Sequence, residues 1–276
     1  MTTRQAPAAA RDVLGRHNAV LSGPVGAPPL VFAHGFGCDQ GMWRAVAPAF
    51  EDTHRVVLFD HVGAGGSDLR AHDPVRHASL DGYAQDVVEL LEALDLGPVA
   101  LVGHSVSAMI GVLVAAERPD LVSRLVLVGP SPRYVDDDGY RGGFSREEIE
   151  ELLATMDGNY LGWSTAIAPV IMGVPERPEL GEELADSFCR TDPVIARRFA
   201  RATFLADNRA DLARVRVPAL VLQSRVDAIA GPEVGRFVAG QLPAGEIVVL
   251  DAVGHCPHMS APQEVVAVLR SFLARP

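Results

Sequence analysis

A serine that attacks a carbonyl needs a base to take its proton, an acid to orient that base, and donors for the oxyanion that forms. The pentapeptide Gly103-His104-Ser105-Val106-Ser107 offers the nucleophile. It joins the apolar run Val99–Val102 to the small-residue, apolar run Ala108–Ala116. On such a strand-to-helix turn the hydroxyl is pushed out of the sheet edge, above a helix N-terminus that favours negative charge. Ser107 departs from the Gly-x-Ser-x-Gly form of this turn, but serine is small enough to keep helix and strand close. A serine that merely caps a buried helix would give the same string. Serine rather than aspartate at this position points to acyl chemistry, not to epoxide or haloalkane hydrolysis.

Nine histidines compete to be the base, and position selects among them. His255 ends Asp251-Ala252-Val253-Gly254-His255, read as the loop between a last strand and a C-terminal helix that begins near Pro262. Asp227 follows a strand expected to end at Leu222. In an open parallel sheet the loops beyond the carboxyl ends of the strands share one edge, so Ser105, Asp227 and His255 can converge there. One of Asp136 to Asp138 is the alternative acid, in a run with the character of a solvated turn. His258 is the rival base; Pro257 beside it and its place near the helix favour a structural role. The oxyanion donors expected are the N–H of Val106 and that of Phe36, in the loop His34-Gly35-Phe36-Gly37 after another strand. An ordinary glycine turn would read the same way. This chemistry requires no cofactor and no metal.

The elements that must hold these residues are visible as short apolar runs: Leu30–Ala33, Val56–Phe59, Val99–Val102, Leu125–Val128, Ala219–Leu222 and Ile247–Leu250. They read as strands buried on both faces. Helical patterns lie between them, the clearest being Leu80, Tyr83, Ala84, Val87, Val88, Leu91 and Leu94, which stops at Gly97-Pro98. Alternation of strand and helix implies an α/β class with a mostly parallel, doubly wound sheet. From about Pro130 to Asp211 the rhythm breaks and no strand is evident. Ser145 with Glu148 forms a capping box there, and Asp192-Pro193 opens a further helix. The organisation expected is therefore a flexible tail over 1–10, a core of 11–130 and 211–276, and a helical insertion over 131–210. That insertion is a candidate lid, or else a decoration packed on the sheet.

Bulk properties narrow the partners. With 276 residues and 48% hydrophobic content the chain can bury a sizeable core. A formal net charge of -11 gives no electrostatic reason to bind nucleic acid or an anionic membrane, so a neutral small substrate fits better. Cys38, Cys189 and Cys256 suggest neither a disulfide framework nor paired metal-ligand spacing, and a reducing cytoplasm is the simplest location. The first fifteen residues lack the apolar core of a signal peptide or a spanning helix. Gly63-Ala64-Gly65-Gly66-Ser67 lacks the glycine that would complete a dinucleotide fingerprint.

Longer strings carry a resemblance. They include Gly35-Phe36-Gly37-Cys38-Asp39-Gln40, Leu58-Phe59-Asp60-His61-Val62-Gly63, Gly103-His104-Ser105-Val106-Ser107, Gly129-Pro130-Ser131-Pro132-Arg133-Tyr134 and Gly254-His255-Cys256-Pro257-His258-Met259-Ser260. Through them nearly the whole chain resembles the RsbQ family of α/β hydrolases, bacterial stress-signalling relatives of the plant karrikin and strigolactone receptors; Ser107 is usual in that family. The resemblance implies a Ser105-Asp227-His255 triad, oxyanion donors at Phe36 and Val106, and a lid of four helices over an apolar pocket. Its lining would include Phe144, Trp163 and Phe204, with His104 beside the nucleophile. It also implies hydrolysis of an ester, lactone or butenolide-like molecule, or slow turnover coupled to signalling through a phosphatase partner that engages the lid. The acid loop Asp227-Ala228-Ile229-Ala230-Gly231-Pro232 places its proline later than in the plant relatives.

Overall fold

The structure is a computed structural model that describes residues 8–275. Seven strands form one sheet: β1 (Val20–Ser22), β2 (Pro29–Ala33), β3 (Arg55–Phe59), β4 (Val99–His104), β5 (Val122–Val128), β6 (Ala219–Val226) and β7 (Gly245–Val253). Their spatial order is β1-β3-β2-β4-β5-β6-β7. Only the β1–β3 pair is antiparallel; every other neighbour is parallel. This is the α/β-hydrolase fold. Around the sheet run α1 (Ala8–Arg16), α2 (Leu80–Leu94), α3 (Val106–Glu117), α4 (Arg146–Gly158), α5 (Tyr160–Met172), α6 (Pro178–Arg190), α7 (Pro193–Phe204), α8 (Arg209–Leu212), α9 (Pro232–Gln241), α10 (Pro257–Ser260) and α11 (Pro262–Leu273).

Alternate residues of β2 to β7 enter opposite cores. Leu30 and Phe32 of β2 join a cluster with Trp43, Phe50 and Phe272, whereas Val31 and Ala33 join α2 and α3 through Tyr83, Leu90 and Ile110. Burial on both faces is why the strands read as unbroken apolar runs. Where the strand order reverses, between β2 and β4, the chain leaves β2 toward Phe36 and β4 toward Ser105. A crevice at this switch point is the usual ligand position in an open α/β sheet.

Three sequence expectations change. Residues 8–10, assigned to a tail, begin α1, while the rest of that expectation falls on residues 1–7, outside the described range. The edge strand β1 was not foreseen, since three residues carry too little pattern. β6 runs four residues past Leu222 and β7 runs through Val253, so most of the supposed Asp251–His255 loop is strand. Between β5 and β6 the chain forms α4 to α8, preceded by a turn in which Val135 bridges Phe144 and Asp137 bridges Tyr140. Among the described residues no helix is long and apolar enough to cross a membrane.

Candidate active site

β4 is buried at all six positions and delivers the chain to Ser105, whose φ of 56° and ψ of -119° are unusual for a residue with a side chain. Strain of this kind costs about 1–3 kcal/mol and persists only where the surroundings hold it. The Ser105 N–H donates to the Val128 carbonyl at 2.8 Å, so the turn is anchored to β5. Close approach of α3 to β4 is secured at Gly103, where a Cβ would come 2.2 Å from the Ser107 carbonyl oxygen. Ser105 is the N-cap of α3, yet its hydroxyl makes no capping bond. The hydroxyl faces His255 instead.

Ser105 Oγ lies 2.8 Å from His255 Nε2, and His255 Nδ1 lies 2.8 Å from Asp227 Oδ2. Ionised carboxylates only accept, so the proton sits on Nδ1 and Nε2 is left to accept from the serine. The other Asp227 oxygen accepts the N–H groups of Ile229 and Ala230 at 2.8 and 3.0 Å. Asp227 follows β6 directly, and Pro232 opens α9, so the late proline still leaves a short turn that holds the carboxylate. All three side chains are buried.

The rival residues lie elsewhere. Asp136 accepts the N–H groups of Gly142 and Gly143, and Asp137 pairs with Arg209 at 2.7 Å. Asp138 is exposed. His258 is fully buried against Trp43 and His104, with ring centroids 4.5 Å away in both cases. Burial pushes its pKa down to about 3, and neither of its ring nitrogens has a partner among the described residues. For the oxyanion donors, no protein acceptor among the described residues takes the N–H of Phe36 or Val106. Both amides are therefore available to a ligand oxygen.

A cavity of about 140 Å³ opens over Ser105 and His255. Phe144, Trp163 and Phe204 line it, as does His104, whose Nε2 lies 2.9 Å from the His255 carbonyl oxygen and so also braces that backbone. Phe36 sits where loop and helices meet, with its ring centroid 5.7–6.3 Å from those of Trp163, Phe188, Phe199 and Phe204. Phe188, Tyr134 and Ile229 line the cavity too, and residue-type reasoning missed them. A place just after β5 is the one signal that could have found Tyr134, whose pKa burial raises to about 12, keeping its phenol neutral. Among the described residues no lysine, arginine, aspartate or glutamate lines the cavity.

The base loop is shaped by the helical block. The His255 N–H donates to the Ile171 carbonyl of α5 at 2.8 Å. Gly254 has φ of 91°, and a Cβ there would come 1.8 Å from the Met172 carbonyl oxygen, so glycine is required on both counts.

The residues nearest to a metal-ligand set are His104, Cys256 and His258, whose donor atoms lie within 4.8 Å of one another. Burial pushes the Cys256 thiol well above its ordinary pKa, whereas a metal needs the thiolate. His104 Nδ1 is packed against Gly35, where an added Cβ would come within 2.4 Å of it. This donor set fits packing better than an ion.

Comparison with known proteins agrees with this fold. The model of the alpha/beta hydrolase family matches residues 30–268. A karrikin insensitive 2 receptor of Petunia hybrida is 38% identical over 92% of this chain and 94% of its own length. Strigolactone esterase D14 of Arabidopsis thaliana is 37% identical over 89% of this chain and 92% of its own. Among solved structures, a hydrolase from Oleispira antarctica superposes with a TM-score of 0.94 at 42% identity, covering 97% of this chain and 98% of the other. A strained serine joined through histidine to aspartate at the switch point, and likeness over nearly the full length, place this chain in the alpha/beta hydrolase family.

Proposed function

We propose that the protein is a serine hydrolase of small, uncharged esters, lactones or butenolide-like molecules. The observation that carries this reading is the continuous Ser105–His255–Asp227 hydrogen-bond chain at the floor of a cavity that, among the described residues, no lysine, arginine, aspartate or glutamate lines. Ser105 Oγ attacks the carbonyl carbon while His255 Nε2 takes its proton. The N–H groups of Phe36 and Val106 receive the oxyanion, each contributing roughly 3 kcal/mol of transition-state stabilisation. His255 returns the proton to the departing oxygen, leaving an acyl group on Ser105. Water, deprotonated by the same imidazole, then releases the acid and restores the serine. Asp227 orients His255 and balances its transient charge. The helices α4 to α7 act as a lid whose aromatic side chains choose the substrate.

A second reading is a sensor in which slow turnover is coupled to a protein partner. It is favoured by Leu161, Val170, Val194 and Leu205, which lie on or just after the lid helices and are 45–54% exposed, and by the receptor relatives. On this reading the protein is of RsbQ type, cytoplasmic, and its partner a phosphatase regulator. Hydrolysis of a p-nitrophenyl ester series, followed together with intact protein mass, separates the two. Sustained turnover that falls at least about 10⁴-fold in Ser105→Ala supports the hydrolase. Turnover by Ser105→Ala near the wild-type rate refutes both readings, and a single burst that leaves a persistent adduct favours the sensor.

A further inference from the structure

Behind the proposed oxyanion hole runs a closed chain of hydrogen bonds that the reaction itself does not touch. The Ser107 hydroxyl donates to the His34 carbonyl, and His61 Nε2 lies 2.7 Å from that hydroxyl. The His61 N–H donates to His34 Nε2 at 3.0 Å, and His34 Nδ1 lies 2.9 Å from the Gly35 carbonyl oxygen. His34, His61 and Ser107 are all buried to within 1%.

Donor and acceptor capacity decides where each proton sits. A carbonyl only accepts, so the single hydroxyl proton of Ser107 goes to His34, and His61 supplies the proton between its Nε2 and Ser107. Its Nδ1 is then bare, and that atom has no partner among the described residues. A backbone N–H only donates, so His34 Nε2 is bare and Nδ1–H donates to Gly35. Each bond leaves the next group one possible role.

The last bond connects this chain to catalysis. The Gly35 carbonyl and the Phe36 N–H belong to one planar peptide unit and point in opposite directions. His34 Nδ1–H and the Cys38 N–H, at 3.3 Å, hold that carbonyl from behind. The Phe36 N–H is thereby aimed away from them. We propose that Ser107, backed by His61, is a positioning residue for this oxyanion donor: it fixes the His34 backbone, from which the imidazole reaches the Gly35 carbonyl. Glycine at 107 would satisfy the steric needs of the turn but leave the His34 carbonyl and the His61 Nε2–H buried without partners. The inference rests on the serine-hydrolase reading.

The test compares Ser107→Ala, Ser107→Thr and His61→Phe with wild type and Ser105→Ala on p-nitrophenyl acetate, with binding of an alkyl boronic acid measured in parallel. The boronate forms a tetrahedral adduct that uses the oxyanion donors. Misplacing one donor in Ser107→Ala lowers kcat and boronate affinity together by about 10- to 100-fold, with KM changing less than about threefold. The midpoint of the acidic limb of the pH–rate profile stays in place. Ser107→Thr, which keeps the hydroxyl, recovers most of the loss, and His61→Phe shows a smaller parallel loss. Wild-type kcat and boronate affinity in folded Ser107→Ala, or losses in kcat that boronate affinity and His61→Phe do not follow, would overturn the proposal. Full turnover by Ser105→Ala would instead refute the hydrolase reading beneath it.

Discussion

The sheet edge and the helical block meet at one cavity but hold their residues by different means. At the edge, reacting groups are fixed by bonds to the backbone: the Ser105 N–H to the Val128 carbonyl, and the Asp227 carboxylate to the N–H groups of Ile229 and Ala230. In the block, helices close themselves locally, as in the Ser145–Glu148 capping box and the Asp192 cap of α7, and present aromatic side chains inward. Side-chain contacts join them to the core beside the His255–Ile171 bond. Ser187 Oγ donates to the Gly37 carbonyl at 3.2 Å, Arg190 pairs with Asp39 at 2.9 Å, and Arg177 donates to the Ser260 carbonyl at 2.6 Å. Of these three contacts Arg190–Asp39 is the ion pair, and a pair so exposed contributes roughly 0–1 kcal/mol. Chemistry is thus set where the backbone has no freedom, and selectivity where side chains can be exchanged.

The seam between the regions gives the largest test of that contrast. Gly254→Ala pushes a Cβ into the Met172 carbonyl and displaces His255 from α5, so kcat should fall about 100-fold on every ester alike. An unchanged kcat would mean that the base loop is independent of the helical block. A smaller and differently shaped effect is expected of Trp163→Ala, which enlarges the cavity without touching the triad. Relative kcat/KM between short and long acyl esters should shift about tenfold, while phosphonylation of Ser105 by a small reagent stays within about twofold. Equal losses in both assays would break the division between chemistry and selectivity.

The smallest effect concerns acid stability beneath the sheet edge. Burial holds the folded-state pKa of His258 near 3, below the ordinary 6.5 of the unfolded chain. Between those values the unfolded chain binds a proton that the folded one refuses, so stability is full above pH 6.5 and declines as pH falls. At pH 5 that difference amounts to about 2 kcal/mol. His258→Phe, which cannot protonate, should lose about that much less stability than wild type between pH 7.5 and pH 5, read from urea midpoints. Parallel declines would place the acid sensitivity in other groups, such as His61 and His104, whose pKa values burial also lowers.

Much of this molecule is written locally. Apolar runs of four residues announce β2 to β7 because a strand covered on both faces needs no polar position, and the Ser145 capping box and the Asp192-Pro193 start are complete within four residues. The order Ser105, Asp227, His255 was legible because each stands near the carboxyl end of a strand in a sheet whose loops share an edge. Tertiary structure alone decided the rest. β1 exists because β3 offers it a ladder, not because Val20-Leu21-Ser22 favours extension. Phe188 and Tyr134 reach the cavity from segments far from Ser105 in sequence, and helix packing determines which aromatic rings face inward. Ser107, read at first as a tolerable substitute for glycine, has its hydroxyl on one residue 73 positions away and another 46 away. Hydrogen bonds across such separations depend on how strands and helices stack, which no local pattern of residue types records.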